Sequence, residues 1–143
     1  MSAVAAKPVL VATDFSETAM RALVEATARF PGSPLLLVHV VDPEYGARVG
    51  AATGLDAADV QQRAWNRADV QLDETVGRLR SEGHSARGLL LEGPLAATLA
   101  EAATSHAAAL IVLGLDPATC ADRLPFSLAR STALPVLIIP ESA

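Results

Sequence analysis

The chain has 143 residues, of which 51% are hydrophobic and 19% charged, a composition that suits one globular domain with a single sizeable core. A formal net charge of −5 and an aromatic content of 3% argue against a nucleic-acid partner, which requires clustered Lys and Arg and rings for base stacking. The lone cysteine excludes an internal disulfide, the apolar runs are too short to cross a bilayer, and no signal-peptide pattern opens the chain, so we expect a cytoplasmic protein without a membrane partner.

Five short runs of nearly continuous apolar residues predict β-strands. Strands that are apolar on both faces are typical of a parallel sheet covered by helices on both sides. The predicted strands lie at 8–13, 34–40, 86–92, 109–114 and 135–140.

Helical patterns fill the intervals between these strands, at 16–29, 56–82, 95–107 and 123–132. The first helix begins at Ser16, a favourable N-cap, and the second stops at Gly83. Trp65 lies on the apolar stripe of the second helix, which indicates core or dimer packing. The Gly- and Ala-rich segment 43–55 has no clear periodicity, and we expect a long mobile loop there.

The order of elements therefore alternates between strand and helix, which predicts an α/β fold with a doubly wound parallel sheet. No repeat or linker divides the sequence, so one domain is expected over 1–143. Ligands of such folds bind beyond the carboxyl ends of the strands. The informative stretches are therefore the ones that leave the strands: "TDFS", "VVDP", "EGP" and "GLDP".

Several of these stretches together resemble the universal stress protein family. The likeness rests on "VLVATDFSETAMRAL", "LLLVHVVDP", "EGPLAATLAEAATSHAAALIVLG" and "LPVLIIP", which follow one another in the family's order. The resemblance implies a five-stranded sheet of order 3-2-1-4-5 with helices on both faces, like that of the adenine nucleotide alpha hydrolases. It also implies a stress-response role and a homodimer, often formed through the last strand, here 135–140.

The loop after the fourth strand distinguishes two branches of that family. Members that bind ATP carry G-x2-G-x9-G-[ST] at this point, where glycines and a helix N-terminus hold the phosphates. Gly114 fits the first glycine, but the later positions fall on Pro117, Ser127 and Leu128. Pro117 also lacks an N–H for a phosphate. The sequence thus resembles the branch without the complete motif, and we expect no tight ATP binding and no cofactor.

A second alignment of this loop, counted back from the last strand, makes it shorter and places Asp122 at the start of the last helix. There the carboxylate could accept the N–H groups that a phosphate would otherwise bind, with Asp116 adding negative charge. The alternative is that Asp122 is an ordinary helix cap without bearing on ligands. Both interpretations remain open.

The adenine side of the family's site is better preserved. By resemblance, the positions that surround adenine and ribose are Thr13, Asp14, Val40, Leu113 and Gly114. Asp14 could accept a hydrogen bond from base or sugar, or it could only fix the amino end of the first helix. The alternative function is therefore an adenine-nucleotide-binding protein, for ATP or AMP, with non-standard phosphate contacts.

The remaining candidates offer little chemistry. We interpret His39 as a core histidine because it lies within an apolar strand. The three histidines and Cys120 lack metal-ligand spacing, and Ser16 has no evident base, so neither a metal site nor an enzyme is expected. Cys120 beside Arg123 could be redox-sensitive. Regulatory proteins are the expected partners besides a second copy of the chain.

Overall fold

The computed structural model describes residues 6–115 and 124–140. Strands and helices alternate along this part of the chain, with one additional helix after the second strand. In chain order the elements are β1 (Val9–Ala12), α1 (Glu17–Arg29), β2 (Leu35–Val41), α2 (Tyr45–Thr53), α3 (Ala57–Ser81), β3 (Ala86–Glu92), α4 (Leu95–Ser105), β4 (Leu110–Leu115), α5 (Leu124–Ser131) and β5 (Val136–Pro140). None of the described helices is long and apolar enough to cross a membrane.

The strands form one parallel sheet in the order β3-β2-β1-β4-β5. Val9 of β1 lies opposite Leu35 of β2 on one side and opposite Leu110 of β4 on the other. The predicted α/β fold and strand order are therefore confirmed. The strand order reverses between β1 and β4, which is where sheets of this kind leave a crevice for ligands.

Two cores lie on the two faces of the sheet because successive side chains of a strand point to opposite sides. One core packs against α1 and α3 and includes Val9, Val11, Leu35, Leu37 and Val112. The other packs against α4 and α5 and includes Leu10, Leu36, Val38, Ile111 and Leu128. Burial on both faces explains why the strand sequences are continuously apolar.

The helices begin and end with recognisable caps. Ser16 caps α1, as predicted, through a hydrogen bond that its Oγ accepts from Ala19 N at 3.2 Å. After α3, Gly83 has a φ of +93°, and the following N–H of His84 donates to Leu79 O. The end of α4 has the same pattern around Ala107, whose φ is +52° although it carries a side chain.

The expectation of a mobile loop at 43–55 is wrong, because α2 occupies most of that segment. The helix rests on the start of α3 at Gly46, where a Cβ would collide with the Ala57 carbonyl. Gly46 N also donates to Gln61 Oε1 at 2.7 Å. A helix this rich in Ala and Gly has no clear apolar stripe to reveal it in the sequence, and this close contact supplies the packing instead.

Trp65 is half-buried and lines a surface groove with Gln62 and Glu92, so it belongs to neither core cluster of the described residues. The expectation that Trp65 packs in the core is therefore wrong. Its part in a dimer stays a prediction.

Candidate functional site

The turn that follows β1 is held by its own side chains. Thr13 is buried, its N–H donates to Val38 O at 2.9 Å, and its Oγ1 accepts from Phe15 N at 2.9 Å. Asp14 Oδ1 accepts from Ser16 N at 2.9 Å, which occupies one of its two carboxylate oxygens. Phe15 has a φ of +65°, an unusual conformation for a bulky residue and one that tends to occur at functional sites.

A cavity of about 240 Å³ opens beyond the carboxyl ends of β1 and β4. The five residues predicted from the family resemblance all line it: Thr13, Asp14, Val40, Leu113 and Gly114. Other walls come from the first turn of α1 and from α4, including Leu95 and Leu99. The fold thus brings the predicted residues together, while their contact with a nucleotide stays a prediction.

The lining of this cavity is mostly apolar and carries little charge. Asp14 is the one acidic residue among the described lining residues, and none of them is Lys or Arg. His39 also belongs to the lining. Such walls suit a flat, uncharged ring better than a chain of phosphates, which requires cations or clustered N–H groups.

Gly114 has a structural reason to be glycine. A Cβ at this position would lie 2.6 Å from the Thr18 carbonyl oxygen and 2.9 Å from its carbonyl carbon. The end of β4 therefore meets the first turn of α1 backbone to backbone. This contact accounts for the glycine without a phosphate.

His39 is half-buried at the end of the sheet, so its interpretation as a core histidine is wrong. Its Nδ1 lies 2.7 Å from the Thr13 carbonyl oxygen, and because a carbonyl only accepts, Nδ1 carries the proton. The imidazole also lies against the Phe15 ring, with ring centres 5.0 Å apart. Sequence reasoning missed this contact, which only the β1–β2 register could have revealed.

A second, more open cavity of about 350 Å³ lies on the α1 and α3 side of the same strand ends. Phe15, His39 and Tyr45 are among its lining residues. At its edge Arg48 Nη1 is 2.6 Å from Asp42 Oδ2. The pKa of the Asp42 carboxyl is lowered below its usual value, mainly by the hydrogen bond from the Glu44 backbone N–H and to a smaller extent by the Arg48 guanidinium.

The loop hypotheses concern residues outside the described part of the chain. These are Asp116, Pro117, Cys120 and Asp122. Whether Asp122 caps the last helix, and whether Cys120 is redox-sensitive, stay predictions. Within 6–115 and 124–140, no three His, Cys, Asp or Glu side chains group as metal ligands.

Comparisons with known proteins agree with this architecture. Residues 5–140 match the model of the universal stress protein family. A search of curated proteins finds no match.

Solved structures with the same fold cover nearly the whole chain. The hypothetical protein MJ0577 is 19% identical with a TM-score of 0.79, over 97% of this chain and 99% of its own. A universal stress protein family member from Burkholderia pseudomallei is 28% identical with a TM-score of 0.69, over 98% and 100%. The universal stress protein from Archaeoglobus fulgidus in complex with dAMP is 23% identical with a TM-score of 0.62, over 95% and 99%.

Proposed function

Because the chain belongs to the universal stress protein family, we propose that it binds the adenosine part of an adenine mononucleotide and does not hold ATP tightly. The observation that carries this proposal is the cavity at the carboxyl ends of β1 and β4, which the five predicted residues line. Their arrangement supports a small adenine ligand, and the charge of the walls argues against a triphosphate.

The size and charge of this cavity support a mononucleotide. Its volume of about 240 Å³ is below the roughly 300–1,000 Å³ of sites for drug-sized ligands, so it suits a nucleoside. The Asp14 carboxylate repels phosphates, and no Lys or Arg of the described lining offsets it. The glycine motif retains only Gly114, and its contact with Thr18 explains that residue independently.

The comparisons support the same ligand class without extending to this chain directly. The Archaeoglobus fulgidus protein is in complex with dAMP, an adenine mononucleotide. At 23% identity the likeness shows a common fold. The transfer of the ligand class to this protein is therefore part of the proposal.

Calorimetric titration with adenosine, AMP and ATP tests the proposal. We expect adenosine and AMP to bind, with ATP no tighter than AMP. The variant Asp14→Asn keeps an oxygen for Ser16 N but removes the charge, so the AMP-to-adenosine affinity ratio should rise several-fold. Asp69→Asn, the same change on an exposed position of α3, is the matched control and should leave the ratio unchanged. Tight ATP binding, or no binding of adenosine or AMP, would contradict the proposal.

We further propose that the protein acts by binding and not by catalysis. Among the described lining residues, no Ser or Thr hydroxyl is hydrogen-bonded to the side chain of Asp14 or His39, and Ser16 Oγ instead accepts from Ala19 N to cap α1. Release of phosphate from AMP or ATP should therefore stay at the buffer background. A rate that falls in the Asp14→Asn variant would contradict this.

We also propose a cytoplasmic homodimer that acts through regulatory protein partners. The support is that β5 lies at the edge of the sheet, with Ile138 37% exposed and Phe126 of the adjacent α5 73% exposed. An apolar edge strand favours pairing with another chain. Sedimentation analysis of the Ile138→Lys variant tests the dimer, because a charge on this edge should yield a monomer while the fold is kept.

A further inference from the structure

The β1–β2 ladder ends in an unusual way at Thr13. The register pairs Ala12 with Val38, and Thr13 N continues the ladder by donating to Val38 O at 2.9 Å. In a regular parallel ladder the next bond would run from Val40 N–H to Thr13 O. The described residues contain no such bond, and the His39 imidazole donates to Thr13 O instead, at 2.7 Å.

This substitution leaves the main chain of Val40 without its ladder partner. Successive residues of a central parallel strand direct their N–H and C=O groups to alternate neighbours, so Val40 faces the same side as Val38. On that side β1 has already turned away at Asp14. Val40 is a lining residue of the cavity, and neither its N–H nor its C=O forms a main-chain hydrogen bond with residues 13–15.

The imidazole is itself held from the opposite face of the sheet. His39 shares the side-chain parity of Leu35 and Leu37, whose core packs against α1 and α3, and its ring lies against Phe15. Phe15 is fixed in turn by the bond from its N–H to Thr13 Oγ1. The ring of His39 therefore supports the turn from the face of the sheet opposite to the side chains of Val38 and Val40.

We propose that His39 is a positioning residue: by satisfying the Thr13 carbonyl with its side chain, it ends the β1–β2 ladder one bond early and keeps the Val40 main chain available to a ligand. The identity of the ligand rests on the proposed function, whereas the position of the Val40 N–H does not.

Amide hydrogen exchange tests the ladder without any ligand. In the wild-type protein the Val40 N–H should exchange much faster than the Val38 N–H, which lies within the ladder. In the His39→Leu variant the Thr13 carbonyl lacks its donor, so we expect Val40 N–H to bond to it and to exchange at least about tenfold more slowly. A variant that was merely destabilised would exchange faster instead. A Val40 amide as protected as Val38 in the wild type would overturn the proposal.

Calorimetry with AMP and a rescue variant complete the test. We expect His39→Leu to bind AMP about tenfold more weakly, because the Val40 main chain is then used within the sheet. His39→Asn should restore both affinity and fast exchange, since its Nδ2 can occupy the place of the imidazole Nδ1. Equal loss in both variants with unchanged Val40 exchange would show a general structural role and overturn the proposal.

The two proposals fail in distinguishable ways. If wild-type protein binds neither adenosine nor AMP while the exchange pattern is as expected, the proposed function fails and the inference about the ladder stands. If His39→Leu does not fold, wild-type exchange at Val40 and the His39→Asn variant decide the matter.

Discussion

Gly88 in β3 and Gly114 in β4 face the same side of the sheet, and each allows a helix to approach it closely. At Gly114 the nearest atoms are the carbonyl oxygen and carbon of Thr18, at 2.6 and 2.9 Å from the position that an added Cβ would occupy. At Gly88 they are side-chain atoms, Leu72 Cγ at 2.9 Å and Val76 Cγ2 at 3.2 Å. A side chain can change its rotamer, whereas a helical backbone must move as a whole.

Gly114 is therefore required by the packing of two backbones, whereas an alanine at position 88 requires only that side chains move. Gly114 is also the position that fits a phosphate-binding motif, and sequence alone cannot tell the two causes apart. The helix that a larger residue would displace is α1, whose first turn lines the cavity. The absence of a Cβ at Gly114 therefore determines both the packing of α1 on β4 and the geometry of the cavity.

The largest effect is expected for Gly114→Ala. The added methyl must push α1 away from β4, which should cost about 2–3 kcal/mol, as over-packing of a core does. For a chain of this size that lowers Tm by roughly 6–10 °C in a thermal melt. AMP binding should weaken as well, because the turn that carries Asp14 moves with the helix.

A second substitution shows whether the backbone is the cause. Thr18→Ala removes the methyl that lies 3.0 Å from the position of a Cβ at residue 114 but leaves the carbonyl in place. We therefore expect no recovery of stability in the double variant. Recovery would show that the Thr18 side chain was the obstacle.

A smaller effect is expected for Gly88→Ala, about 0.5 kcal/mol in either direction. The contact with Leu72 is unfavourable, while the loss of a flexible glycine from a strand is favourable by roughly the same amount. Chemical denaturation of Gly88→Ala, Leu72→Val and the pair should give a coupling of about 0.5 kcal/mol or more, since the smaller side chain makes room. Strict additivity would contradict this.

The smallest effect is expected for Ala107→Gly. This position is the reverse of the two glycines above, because it carries a side chain in a backbone conformation that favours glycine. Its φ of +52° disfavours alanine, so the change should stabilise the protein by about 0.5 kcal/mol after the greater freedom of the unfolded chain is included. Gly83→Ala at the equivalent end of α3 is the matched control and should destabilise by about 1 kcal/mol, because its positive φ disfavours a residue with a Cβ. Apart from its chain neighbours, no heavy atom lies within 4 Å of the position that a Cβ at residue 83 would occupy, so only backbone conformation is tested.

Much of the fold follows from the sequence because the sheet is buried on both faces. Runs such as the one from Leu35 to Val41 are typical of parallel strands that are covered on both faces, and the order of the sheet follows from the family resemblance and is confirmed. The helix α2 could not be predicted, because its packing depends on Gly46 and a distant carbonyl. Local sequence patterns do not indicate a contact between residues of two different helices.

The candidate site was predictable in part. Thr13 and Asp14 follow β1 and Gly114 lies near the end of β4, which is where the fold gathers ligand-binding residues. The contact between His39 and the Thr13 carbonyl depends on the register of two strands, and an apolar run does not specify the register. The packing reason for Gly114 could not be predicted either, because its contact with Thr18 joins residues that are far apart in the sequence.

The central place of β1 has a consequence for biosynthesis. It pairs with β2, which follows closely in the chain, and with β4, which emerges only after α4. Until β4 arrives, one edge of an apolar strand has no partner, and unpaired edges of this kind promote aggregation. We expect nascent chains that end before β4 to need protection by a chaperone, and completion of β4 to release them.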